Sequence, residues 1–294
     1  MDFLGLSLPG LLSQLLLGLV NGSFYAILSL GLAVIFGLLN VINFAHGALF
    51  MMGAVITWMA MNYFGINYWV MLIVAPLVVG AFGVVVERLL LRWIYKLDHL
   101  YGLLLTLGLT LLIEGIFRSV YGVSGLGYDT PDLLSGGTNL GFMFLPNYRA
   151  WVVVASVTVC LATWFVIEKT KLGAYLRAGT ENPRLVEAFG VNVPVMVTLT
   201  YAFGAALAAF AGVLSAPVYQ VSPLMGQNLI IVVFAVVVIG GMGSIMGAIV
   251  TGFGLGLIEG LTKVFYPEAS STVVFVIMVI VLLIRPAGLF GKEK

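Results

Sequence analysis

The sequence has 294 residues, of which 62% are hydrophobic and only 9% are charged, and its formal net charge is +1. Soluble domains carry about a quarter charged residues, so this composition excludes an ordinary water-soluble domain and predicts a chain embedded in the lipid bilayer. A nucleic-acid partner is excluded as well, because phosphate binding needs a concentrated basic face.

Two long stretches without Asp, Glu, Lys or Arg, residues 3–86 and 188–258, indicate several membrane crossings in succession. A crossing needs about 20 apolar residues, and the backbone must satisfy its own hydrogen bonds in lipid, which favours helices. We predict an all-α polytopic bundle of eight or nine spans that forms one transmembrane domain over residues 1–294. The predicted spans are 11–36, 44–63, 69–91, 101–121, 150–168, 194–215, 227–243, 246–262 and 270–285. The count falls to eight if the two spans that flank GGMGS form one broken helix.

The basic residues predict the orientation of the bundle. Ten of the 13 Lys and Arg residues fall in the loops near 87–99 and 168–192 or at the C-terminus. Because cytoplasmic segments carry an excess of Lys and Arg, we assign these three segments to the cytoplasmic side. The N-terminus carries Asp2 and no basic residue, so we place it outside.

The connection at 122–149 falls on the external side and is rich in Gly, Pro, Asn and Asp, which favour turns. It is long for a connection between helices. Two interpretations stay open, a simple external loop and a short structured docking surface.

A short sequence motif occurs twice in the chain. MGAVIT at 52–57 returns as MGAIVT at 246–251, and a glycine-containing break precedes each copy. Transporters are often built from internal repeats with broken helices at the solute site, although six apolar residues can also recur by chance. The predicted crossings make the two copies run in the same direction.

Polar side chains inside the predicted spans suggest a path for a polar solute. Such side chains are costly in hydrocarbon and usually face a bundle interior or a water-filled cavity. The alternative is interhelical hydrogen bonding that holds the bundle together, and for the histidine a helix-packing or helix-end role is favoured over a proton relay. The candidates for the translocation path are Asn21, Asn40, Asn43, His46, Gly240 and Gly241.

Charged residues near the span ends are spaced as helix-surface pairs. Glu114 with Arg118 and Glu259 with Lys263 are each four residues apart, which predicts ion pairs on one helix face. A chain of buried carboxylates for proton coupling is missing, which disfavours an ion-coupled carrier or channel working alone.

The sequence offers little for catalysis. It has only two histidines and one cysteine, and it lacks the GxxxxGK[ST] loop of ATP-binding proteins. A membrane-embedded enzyme needs clustered ligands or a nucleophile with a base. We therefore expect no enzyme activity, no metal site and no cofactor in this chain.

The longest polar stretch on the predicted cytoplasmic side is residues 169–192, which we call the elbow. Asn182 as a cap and Pro183 at the first position predict a short helix over 183–189, and Gly190 stops it. The residues before it can form another short turn. The apolar side chains between the charges, which favour docking of a cytoplasmic partner over an ordinary loop, are Leu185, Val186 and Phe189.

Four motifs spread over the chain carry a family resemblance: GLLNVINFAHGALFMMGA, LGAYLRAGTENPRLVEAFGVNV, VVVIGGMGSIMGAIVTG and IRPAGLFG. Together they resemble the permease subunits of branched-chain amino acid ABC importers, and in particular the subunit of the pair that bears NVINFAHG. The resemblance implies a type II importer-like permease, with several passes through the bacterial cytoplasmic membrane, that forms half of a translocation path.

The resemblance also implies partners. These are a second permease, two cytoplasmic ATPase subunits that carry ATP and Mg, and a periplasmic solute-binding protein. Leu, Ile and Val are the implied solutes, with urea, short amides or another small acid as alternatives. The residues that the resemblance places against an ATPase are Gly173, Arg177, Ala178, Glu181, Asn182, Glu187 and Gly190.

Overall fold

The computed structural model describes residues 2–3, 6–39, 41–95 and 97–291, with the side chains of all of these except 2, 3, 6, 7, 38 and 99. Asn40, one of the candidates for the path, lies outside the described residues. The α-helices are α1 (Leu8–Leu39), α2 (Ala45–Phe64), α3 (Tyr68–Val86), α4 (Arg92–Ile94), α5 (His99–Tyr121), α6 (Asn147–Lys169), α7 (Lys171–Glu181), α8 (Pro183–Ala188), α9 (Val193–Ser215), α10 (Met225–Gly240), α11 (Ile245–Phe265) and α12 (Val273–Ile284).

The remaining regular elements are short. A π-helical turn, Glu87–Leu91, joins α3 to α4, so that one helical segment extends from Tyr68 to Ile94. The 3-10 turns are Asp132–Leu134 and Pro267–Ala269. Two small antiparallel hairpins pair β1 (Asp2–Phe3) with β2 (Leu6–Ser7) and β3 (Gly137–Asn139) with β4 (Phe144–Pro146).

The predicted helical bundle is confirmed. Seven helices in the described ranges are long and apolar enough to cross a membrane, and the shorter apolar helices α10 and α12 occupy the places of the seventh and ninth predicted spans. Gly241 and Gly243, with φ of 100° and 81°, interrupt the helix between α10 and α11. These left-handed conformations favour glycine, and the GGMGS segment accordingly separates two helices.

α1 lies at the centre of the bundle and packs closely against α11. Gly252, Gly256 and Gly260 are spaced four apart on α11, and a side-chain carbon at any of them would collide with the backbone of α1. Small residues at helical spacing let two backbones approach in this way. Gly260 faces Gln14 whereas Gly243 faces Gly37, so the two helices run antiparallel.

The elbow and the C-terminal tail lie at the same end of the bundle, which we call the elbow end. The tail folds back on the end of α10: the backbone N–H of Leu289 donates to the carbonyl of Ile239 at 2.8 Å, and that of Phe290 to Gly240 at 3.1 Å. These bonds satisfy carbonyl groups that a helix end otherwise leaves unpaired. The neighbouring Gly243 lines a cavity together with Arg177 of the elbow.

The segment from 122 to 146 lies at the opposite end, the loop end, and carries structure of its own. Besides the β3–β4 hairpin, Leu126 forms an antiparallel bridge with Val221, and Trp58 Nε1 donates to the carbonyl of Gly127 at 3.0 Å. The hydroxyl groups of Tyr68 and Tyr148 lie 2.8 Å apart beneath it. The loop is therefore a structured surface.

Candidate coupling segment and translocation path

The elbow forms two short helices after α6. Between α7 and α8, Asn182 Oδ1 accepts a hydrogen bond from the backbone N–H of Leu185 at 3.1 Å, and Pro183 opens α8. Gly190 follows α8 with a φ of 84°, a left-handed conformation that ends helices. The predicted cap, start and stop of this helix are confirmed.

Arg177 and Gly173 fasten the elbow to α6. Arg177 Nη1 donates to the carbonyl of Ile167 at 3.1 Å and to Glu168 Oε2 at 3.3 Å. Gly173 is buried, and a side-chain carbon there would overlap the carbonyl oxygen of Ile167. Because half-exposed ion pairs contribute little free energy, the close backbone approach at Gly173 is the firmer part of this joint.

A cavity of about 90 Å³ lies beneath the elbow. Arg177 and Thr180 of α7 line one side of it. Gly37 at the end of α1, Thr200 of α9 and Gly243 before α11 line the other. The elbow thus meets α9 and the adjoining ends of α1 and α11 in one place.

The face of the elbow that points away from the bundle is partly apolar. Phe189 is 81% exposed and Leu185 is 54% exposed. Val186 is buried, so the prediction that it shares this face is wrong. Its side chain is turned about 100° from that of Leu185 on the helix and points toward the bundle. The predicted coupling residues that are exposed are Arg177, Ala178, Glu181, Asn182, Glu187 and Gly190.

Two of the predicted path residues are buried between helices. Asn43 Nδ2 donates to the hydroxyl of Tyr201 at 3.3 Å, and His46 Nε2 lies 3.0 Å from the carbonyl oxygen of Leu28. Asn43 Oδ1 and His46 Nδ1 have no hydrogen-bond partner among the described residues. The hydrogen bonds that Asn43 and His46 do form join separate segments of the bundle. Bonds of this kind hold helices together, and they were the alternative to a solute path that the sequence left open.

Asn21 belongs to a polar cluster on the first half of α1. Its Oδ1 accepts from the hydroxyl of Tyr219 at 2.9 Å. One turn further on, Tyr25 donates to Glu259 Oε2 at 2.7 Å, and Lys263 Nζ lies 2.6 Å from Glu259 Oε1. The predicted pair of Glu259 with Lys263 is confirmed, and the tyrosine extends it to α1.

Gly240 and Gly241 lie where α10, α11 and the C-terminal tail converge. A side-chain carbon at Gly240 would collide with the backbone of Gly247, and one at Gly241 with the backbone of Gly291. Both glycines therefore permit close approach of backbones in this structure.

The burial of Glu114 was not predicted from the sequence. The predicted pair of Glu114 with Arg118 is wrong, because Glu114 is 4% exposed and accepts a hydrogen bond from Gln227 Nε2, whereas Arg118 is exposed. The long Arg118 side chain reaches toward the surface, while Glu114 turns toward α10. The two bonded residues are 113 positions apart, and no local pattern connects them.

Comparison with known proteins agrees with this architecture. The family model described as "branched-chain amino acid transport system / permease component" matches residues 14–282. The chain is 29% identical to the high-affinity branched-chain amino acid transport system permease protein LivH of Salmonella typhimurium and to BraD of Pseudomonas aeruginosa, each over 96% of both chains. It is 28% identical to a probable LivH of Methanocaldococcus jannaschii, over 94% of this chain and 91% of that one. The chain belongs to the family of permease components of branched-chain amino acid transport systems.

Proposed function

We propose that this chain forms half of the translocation path of an ATP-driven importer of branched-chain amino acids. Its partners are a second permease, two cytoplasmic ATPase subunits and a periplasmic binding protein that delivers the solute. The observation that carries the proposal is the elbow, a pair of short helices that is fastened to the bundle on one side and exposes Leu185 and Phe189 on the other. The chain itself is a multi-pass transport subunit of the bacterial inner membrane.

The elbow is well placed to receive mechanical work from an ATPase. Isolated exposed apolar residues are ordinary, but here they lie beside Glu181 and Glu187 on one small surface, and such mixed patches suit a protein partner. Closure of the ATPase pair on ATP would push this surface. The displacement would pass through Arg177 and Gly173 to α6 and, across the small cavity, to α1 and α11.

Movement of these helices would then expose the path alternately to the two sides of the membrane. Alternating access by rocking of helix groups is the usual mode of transporters with broken helices. The break at 241–244 and the non-helical residues 41–43 before α2 provide joints at which such groups can move. Asn21, Asn40, Asn43, His46, Gly240 and Gly241 remain our candidates for groups that line or shape the path.

The charge distribution supports a cytoplasmic elbow end. Lys169, Lys171 and Arg184 lie on or beside the elbow, and Arg285 begins the tail at the same end. With Lys and Arg enriched on the cytoplasmic side, the elbow faces the ATPases and the loop end faces the binding protein. The loop end exposes Leu133 of the 3-10 turn by 81% and Phe144 of the hairpin by 62%, which gives the binding protein apolar contacts.

Co-purification with activity tests the proposal. A tagged chain, expressed together with candidate partner subunits, should retain the second permease and an ATPase whose activity rises when the binding protein is added with leucine. A tagged chain that retains no ATPase, and that moves solute in response to an ion gradient without ATP, would contradict an ABC importer.

A further inference from the structure

A second cavity, of about 230 Å³, lies between α5 and α10 and is separate from the one beneath the elbow. It is smaller than the pockets of about 300–1,000 Å³ that hold drug-sized ligands, and it therefore suits a small solute. Leu111 and Ile231 at its edge are each 58% exposed, so it is open on the flank between the two helices. Residues of α5 that share one helix face and line it are Leu107, Thr110, Leu111 and Glu114.

Glu114 brings an unsatisfied acceptor to this cavity. Glu114 is only 4% exposed. Its Oε2 accepts a hydrogen bond from Gln227 Nε2, and its Oε1 has no hydrogen-bond partner among the described residues. Burying a carboxylate is expensive unless it is paired, and ionisable groups within membrane helices mark solute pathways for that reason. The ion pairs found among the described residues do not include it. In its ionised form, Glu114 is matched to a ligand that donates hydrogen bonds from a positive group.

The opposite electrostatic feature lines the same cavity. The first turns of α2 and α10 touch there: a side-chain carbon on Gly47 would lie 2.8 Å from the carbonyl oxygen of Gly226, and both glycines line the cavity. Helix N-termini carry partial positive charge and attract anionic groups. The cavity thus combines a carboxylate with two helix starts.

The remaining walls are mainly aliphatic. Ile230 and Ile231 of α10 face Leu107 and Leu111 of α5 across the cavity. One small space therefore offers an acceptor for an ammonium group, positive helix ends for a carboxylate and a hydrocarbon surface for a side chain. These three features together match a zwitterionic amino acid with an aliphatic side chain. Urea and simple amides carry no charge and would leave Glu114 uncompensated.

We propose that this cavity is a binding station for the solute within the translocation path, in which Glu114 accepts the α-ammonium group and Gln227 orients the carboxylate of Glu114. The proposal rests on the proposed function, since it names where the amino acid is held during passage. Glu114 would be a binding residue, and Gln227 a positioning residue.

The test is leucine uptake by the reconstituted complex, with ATP inside the liposomes and loaded binding protein outside. Glu114→Gln keeps the shape of the side chain and removes its charge. Uptake should fall about tenfold or more, as expected when a hydrogen bond to a charged group is lost, while ATPase stimulation by the loaded binding protein stays at the wild-type level. Glu259→Gln is the matched control, because Glu259 is also a carboxylate in a long helix but is paired within the chain. Its uptake should match the wild type.

A second variant distinguishes loss of solute binding from misfolding of the Glu114→Gln protein. Ile231→Trp changes an exposed side chain at the mouth of the cavity and should also lower uptake while ATPase stimulation is retained. Wild-type uptake by Glu114→Gln, or equal loss of uptake and ATPase stimulation in Glu114→Gln and Glu259→Gln, would overturn the binding station. A wild-type complex that imports no leucine would instead overturn the proposed function, so the two failures are distinguishable.

Discussion

Replacing Phe189 with alanine should weaken attachment of the ATPase subunits while the permease itself stays folded. Phe189 is 81% exposed and lies just after α8 of the elbow. A phenylalanine buries about 150–250 Å² when fully enclosed, so docking of a partner can remove roughly 120–200 Å² from water at this exposure. At about 25 cal/mol per Å² this area corresponds to an upper bound of about 3–5 kcal/mol.

Alanine keeps part of that contact, so the expected loss is about 2–3 kcal/mol, within the range of interface hot spots. This loss corresponds to an affinity about 30- to 150-fold lower. The free permease should lose little stability, because exposed substitutions usually change unfolding free energy by no more than about 0.5 kcal/mol.

The assay is the affinity of labelled ATPase subunits for the permease pair in lipid nanodiscs, with the thermal unfolding of the pair measured beside it. Phe144→Ala is the matched control, since Phe144 is 62% exposed at the loop end, away from the elbow. An unchanged affinity in Phe189→Ala, or an equal loss in Phe144→Ala, would refute the assignment of the elbow as the ATPase contact.

Three further substitutions test other parts of the structure. Gly173→Ala should lower the unfolding temperature of the permease, because overpacking against Ile167 costs about 1–3 kcal/mol; a stability equal to the wild type would contradict the tight joint. Asn182→Ala should remove the cap of α8, at about 1 kcal/mol, and reduce ATPase stimulation by loaded binding protein, whereas Asn182→Asp should restore it. Phe144→Ala should weaken binding of the loaded binding protein to the complex, measured by the concentration that half-saturates ATPase stimulation, and an unchanged value would argue against docking at the hairpin.

Local features of the fold were predictable from the sequence where local chemistry decides them. Asn182, Pro183 and Gly190 mark the start and end of α8 because capping and left-handed glycine depend on neighbouring residues alone. The break between α10 and α11 at Gly241 was predictable for the same reason, because glycine readily adopts the left-handed backbone conformation that interrupts a helix. Apolar runs of sufficient length predicted the spans, although α3 continues through the π-helical turn to Ile94, beyond the predicted end of its span.

Contacts between distant segments were not predictable in this way. Glu114 and Gln227 meet only because α5 and α10 pack side by side, and the spacing of Glu114 to Arg118 suggested a different partner. The burial of Val186 likewise depends on how α8 sits on the bundle. The hairpin at 137–146 has short strands with turn residues between them, which a pattern of Gly and Asn does not distinguish from an irregular loop.

The most direct test of the central claim is uptake of radiolabelled leucine into proteoliposomes that contain this chain, the second permease and the two ATPases, with the binding protein outside. Leucine should accumulate only when ATP is enclosed and the binding protein is present, and isoleucine and valine should compete whereas urea should not. Accumulation that requires an ion gradient instead of ATP, or uptake of urea in preference to leucine, would contradict the importer proposed here.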